Sequence, residues 1–131
     1  MQSRRSDRGA VAVELALVLP VLILLLFGII EVSRAYNAQV TLTSAAREGV
    51  RVVAIAKNDA AATNRAVLAA NASIPQVNAS TVSITRSPAG AVNTCPVGST
   101  VTVTITYTMT TLTGIAAPFT LRGKGVMLCG G

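Results

Sequence analysis

The stretch Leu15–Ile30, LALVLPVLILLLFGII, runs for sixteen residues without a charge. Extended back to Ala10 it covers 21 residues, interrupted only by Glu14. A helix needs about 20 residues to cross the hydrocarbon core of a bilayer, so residues 10–30 are expected to form a transmembrane helix. Arg4, Arg5 and Arg8 lie just ahead of it, and basic flanks favour the cytoplasmic side. The expected topology has residues 1–9 inside and 31–131 outside. Pro20 removes one backbone donor, which membrane helices tolerate.

The side-chain inventory excludes most chemistry. The 131 residues contain no His, no Trp, two Cys and five acidic groups (Asp7, Glu14, Glu31, Glu48, Asp59). A histidine-based triad or a His/Cys zinc site cannot be assembled from that set, so the chain is not expected to be an enzyme or to hold a metal or cofactor. The net charge of +6 has to be located before it means anything. Three of the eleven basic residues stand in the first nine positions; the remainder leave +4 spread over more than a hundred residues. Only Phe27, Tyr36, Tyr107 and Phe119 are aromatic, too scattered for a base-stacking platform. Nucleic acid is not an expected partner.

Glu14 is the informative charge. A carboxylate near the centre of a membrane helix costs on the order of 2.5–3.5 kcal/mol. Nearer the cytoplasmic end it costs less, and an interfacial carboxylate is the plain explanation on position alone. Residues 1–14, MQSRRSDRG-AVAVE, offer a sharper one: a short basic leader, Gly9, and an acid five places after that glycine. This resembles the type IV prepilin signal, in which a membrane-embedded aspartyl peptidase cuts after the glycine and the fifth mature residue is Glu. The resemblance implies cleavage between Gly9 and Ala10, with Glu14 as the fifth mature residue. Glycine, lacking a Cβ, would let an extended leader approach the peptidase closely. In an assembly, Glu14 would pair with the free amine of a neighbour's Ala10, offsetting two desolvation costs together.

Residues 8–51 narrow the resemblance. Arg8-Gly9, Glu14, Ala16-Leu17, Pro20, the Gly28…Glu31 exit and Ala45-Ala46-Arg47-Glu48…Arg51 together look like the TadE-like family of tight-adherence pilus proteins. That family implies a minor pilin or pseudopilin in the inner membrane, open to incorporation into a surface pilus. Its implied partners are the prepilin peptidase, other pilin subunits, the inner-membrane assembly machinery and the lipid bilayer. Two rivals are weighed against this. One is an uncleaved membrane-anchored binding module. The other is a secreted domain cut before Tyr36, but its apolar run exceeds the usual 7–15 residues of a signal peptide.

Past Ile30 the helical period continues without a break signal, and no proline occurs between Pro20 and Pro75. Helix is therefore expected from Ala10 to Lys57, with Val32, Tyr36, Leu42, Ala46, Val50 and Val53 as an apolar stripe that Gln39 interrupts. Arg47 and Arg51 share one face and read as solvated. Residues 58–72 are expected to form a second short helix, capped by Asp59, with Ala62, Ala66, Val67 and Ala70 packing beneath a sheet. The sequons Asn71-Ala-Ser73 and Asn78-Ala-Ser80 are taken as chance in a sequence of bacterial resemblance.

From Ser73 the period shifts to two, and residues 73–131 are expected to form a small β-rich outer domain. Val82 and Ile84 mark one strand. Thr100–Thr110 alternates strictly, placing Val101, Val103, Ile105, Tyr107 and Met109 on one face and a row of threonines on the other. Strand propensity with solvation accounts for that row without a function. Leu112–Leu121 reads as a connection and Gly125–Cys129 as a short last strand. Cys95 and Cys129 both fall on the outer, oxidising side, where a structural disulfide is expected. Closing over thirty residues would contribute roughly 3–4 kcal/mol in the chain-entropy model. The fold class is thus α+β, with one long helix, one short helix and about three antiparallel strands.

Overall fold

A computed structural model describes residues 4–74, 77–78, 81–114 and 117–130. The elements are α1 (Arg4–Ala56), α2 (Asp59–Asn71), β1 (Val82–Ser87), β2 (Thr100–Met109) and β3 (Phe119–Leu128). The α+β arrangement expected from the two periodicities is the one found. The chain divides into two compact units at Arg34/Ala35, within α1.

The first unit is helical from Arg4, six residues ahead of the expected start, and the helix continues through Pro20. In this unit the large apolar side chains from Val11 to Ile30 are all exposed. Val32, placed on the apolar stripe from sequence, is exposed as well.

The second unit is two-layered, with the Ala35–Ala56 part of α1 and all of α2 under one face of a three-stranded antiparallel sheet ordered β1-β2-β3. Such layering buries one stripe per helix and one face per sheet. The helix stripes are Ala38, Leu42, Ala45, Ala46, Val50 and Val53 on α1, and Ala62, Ala66 and Ala70 on α2. Val101, Val103 and Ile105 of β2 meet them and are completely buried, each burial contributing roughly 1.5–3 kcal/mol. The alternation read on β2 therefore holds, although Tyr107 is only half-buried and the strand stops at Met109. Tyr36, the other expected stripe member above Leu42, is exposed.

Small residues set how closely these layers meet. At Gly49 an added Cβ would stand 3.0 Å from the Ala66 Cβ of α2 and 3.4 Å from Val103 Cγ1 of β2. The glycine thus marks the point where both helices and the central strand converge. On β3 the contact is closer still. A Cβ at Gly123 would lie 2.2 Å from the Leu42 carbonyl carbon, and one at Gly125 would lie 2.6 Å from the Ala46 carbonyl oxygen. β3 therefore lies directly on the backbone of α1.

That contact corrects the expected start of the last strand. β3 begins at Phe119, so the segment read as a connection supplies its first residues, and the register runs from Met109↔Phe119 to Thr100↔Leu128. Leu121-Arg-Gly-Lys-Gly125 has no apolar alternation because its inward positions are glycines filled by the helix backbone. Gln39, the polar break in the α1 stripe, has a related explanation. Its Nε2 donates to the Arg122 carbonyl at 2.8 Å, satisfying a backbone group on the free edge of β3.

The expected cap of α2 also shifts by one residue. Asn58 is the N-cap, and its Oδ1 accepts from the Ala61 N–H at 2.9 Å. Asp59 instead reaches Arg86, whose side chain lies on the inward phase of β1 and is 6% exposed. The Arg86 guanidinium pairs with Asp59 Oδ1 and donates through Nε to the Thr94 carbonyl at 2.8 Å. Asn93 Oδ1 in turn accepts from the Asp59 N–H at 2.8 Å. This network ties the start of α2 to β1 and to the β1–β2 connection, satisfying a charge that would otherwise be costly to bury.

Candidate functional site

The candidate site is the exposed helix of the first unit. Gly9 and Ala10 are neighbours in α1 and Glu14 stands one turn further on, and all three are exposed. Nothing approaches within 4 Å of a Cβ placed on Gly9. The Gly9–Ala10 bond lies within the helix, and no other part of the chain covers Gly9. Glycine weakens a helix by about 1 kcal/mol relative to Ala, and α1 carries it at Gly9, Gly28 and Gly49.

Glu14 is the single charge within residues 10–30. At the far end of the unit, Glu31 pairs with Arg34 at 3.4 Å, one turn apart on the helix. Between the two acids the surface is apolar all round. A helix hydrophobic on every side is stable only when something apolar surrounds it, and this one is long and apolar enough to cross a membrane.

Cys95 and Cys129 form a disulfide with a Cα–Cα distance of 5.3 Å across 34 residues of chain. It joins the β1–β2 connection to the residue after β3, beside a backbone bond from the Cys129 N–H to the Ser99 carbonyl at 2.7 Å. Its place is structural, and Arg47 and Arg51 remain on the exposed surface. Asn71, the first residue of one sequon, is engaged by its own chain. Its amide exchanges two hydrogen bonds with the Val77 backbone, at 3.0 and 3.1 Å. Among the described residues no three of His, Cys, Asp and Glu come together as a metal site would require.

Gly49, Gly123, Gly125, Gln39 and the Asp59–Arg86 pair carry the second unit, and the sequence reading assigned none of them these positions. The available signal was the Gly-Lys-Gly run, because glycine inside a strand marks a close backbone approach.

Comparison with known proteins adds one match. The family model described as TadE-like protein matches residues 9–51, about a third of the chain and the same stretch on which the resemblance rests. No curated protein matches, and no solved structure does. A match to a pilus-associated family of structural proteins, together with the exposed apolar helix, fits a membrane-anchored pilus component.

Proposed function

We infer that this chain is a minor pilin or pseudopilin of a tight-adherence type IV pilus system. It is inserted in the inner membrane with residues 1–9 inside and its α+β unit outside. A prepilin peptidase cuts after Gly9, and the mature subunit assembles through the helix beginning at Ala10. The protein acts as a building element, and the chemistry performed on it belongs to the peptidase. The observation that carries this reading is the pairing of an exposed, membrane-length helix with the Gly9…Glu14 spacing inside the stretch matched by the family model.

Glu14 has a specific part in this assembly. Once Gly9 is removed, Ala10 presents a free amine, and the two charges of neighbouring subunits neutralise each other in a medium that solvates neither. An isolated subunit leaves Glu14 unpaired near the membrane surface, so pairing favours the packed form. Other pilin subunits and the inner-membrane assembly machinery are the partners this requires.

The test is the intact mass and N-terminal sequence of protein purified from cells containing the cognate peptidase. A chain starting at Ala10 supports the reading. A chain that still starts at Met1 with the peptidase active favours the uncleaved anchored binding module, and a start at Tyr36 indicates a secreted domain.

A further inference from the structure

We propose that the β2–β3 hairpin end of the second unit rests on the outer surface of the bilayer, through Tyr36, Leu112 and Phe119, with Arg122 and Lys124 facing anionic headgroups. This rests on the reading of residues 10–30 as a membrane span. The chain enters the second unit at Ala35. Only Glu31–Arg34 separate that point from the apolar run, and so few residues reach at most roughly 17 Å. Whatever part of the second unit surrounds Ala35 is therefore tethered at the membrane surface.

The contacts inside the second unit identify that part. Gly123 lies on Leu42 and Gly125 on Ala46, so β3 runs in the same direction as α1. Following both back toward their N-terminal ends leads from Leu42 to Tyr36, and from Gly123 to Phe119. The Gln39 bond to the Arg122 carbonyl fixes the same alignment, and Tyr36 stands one helical turn before Gln39. The β1–β2 connection and the disulfide are at the other end, because Thr100 pairs with Leu128.

The composition of this end suits an interface with lipid. No charged residue occurs from Thr100 to Leu121. Leu112 is 60% exposed, Phe119 37% and Tyr36 72%. Two of the four aromatic residues of the chain are thus exposed here, and aromatic rings concentrate at membrane interfaces. Arg122 and Lys124 follow on the outer face of β3, both exposed. Basic groups close to an anionic leaflet add to binding and lose their effect within a Debye length.

The absence of native Trp allows a direct test with single-Trp variants of the full chain in vesicles. The vesicles contain phosphatidylglycerol and lipids brominated high on the acyl chain. Phe119→Trp and Tyr36→Trp report the proposed contact, Ile23→Trp the span, and Val92→Trp the opposite end. The expected result is quenched, blue-shifted emission at positions 119 and 36, unquenched emission at 92, and quenching at 23. In the Phe119→Trp background, Arg122→Glu with Lys124→Glu should reduce quenching in anionic vesicles and leave it unchanged in zwitterionic ones. Quenching at 23 but at neither 119 nor 36 overturns the proposal while the span stands. No quenching at 23 removes the span, and the proposal with it. A blue shift at 119 that disappears on diluting protein into excess lipid means that another copy of this chain covers the face, which also overturns the proposal.

Discussion

Gly123 of β3 lies against the backbone of Leu42 in α1 so closely that a Cβ on the glycine would meet the Leu42 carbonyl carbon at 2.2 Å. The contact is between main chains, so neither side can yield by changing a rotamer. The strand and the helix are held at a separation that only glycine permits.

Gly123→Ala should therefore destabilise the second unit by about 3 kcal/mol, the upper end of what overpacking normally costs. Gly28→Ala, where a Cβ meets nothing within 4 Å, is the control. Thermal unfolding of the full chain in detergent, followed by near-ultraviolet circular dichroism of Tyr107, should show a large loss for the first and none for the second.

Lys57 closes α1 in the left-handed region, with φ at +50° and its N–H bonded to the Val53 carbonyl at 3.0 Å. Glycine is the usual residue there because it lacks the Cβ that disfavours this conformation. Lys57→Gly should stabilise the protein by about 0.5 kcal/mol, part of the conformational gain being offset by greater freedom in the unfolded chain. Urea unfolding should show a higher midpoint with an unchanged slope; a lower midpoint would mean that the Lys57 side chain contributes more than its backbone loses.

Arg86 and Asp59 should respond as a unit. Asp59→Ala leaves Arg86 buried without its counter-charge and should cost about 3 kcal/mol, whereas Asp59→Ala with Arg86→Met should recover much of that loss. Chemical unfolding of the two single variants and the double variant closes the cycle. Additive losses would show that the pair is not coupled.

On the proposed function, Glu14→Gln should leave membrane insertion intact and abolish incorporation into filaments, since that reading pairs the Glu14 charge with a neighbour's Ala10 amine. Membrane fractionation and immunodetection of sheared surface filaments measure the two effects separately. Normal filament incorporation would take Glu14 out of the assembly reading.

Much of the architecture was legible because it rests on local spacing. Val101, Val103 and Ile105 lie inward since residues two apart share a face of a strand, and Ala62, Ala66 and Ala70 do so at the helical repeat. The reading stopped where a residue's reason lies elsewhere in the chain. Arg86 occupies an inward position of β1, but an apolar alternation cannot include a guanidinium whose partner is 27 residues away. Tyr36 fits the period of the apolar stripe and is exposed, because it lies ahead of Ala38, where the buried part of that stripe begins.

The sequence by itself determined the apolar length of residues 10–30, the position of Glu14 after Gly9, the switch from helix to strand after Ser73, and two cysteines on the expected outer side. Each follows from composition or from a short repeat. Tertiary structure alone decided that β3 begins at Phe119, that Gly123 and Gly125 are seats for the α1 backbone, and that Gln39 satisfies the edge of the sheet. The physical reason is one of reference. A repeat is defined by a residue's own neighbours, whereas a close approach or a satisfied carbonyl is defined by a partner brought near only when the chain has folded.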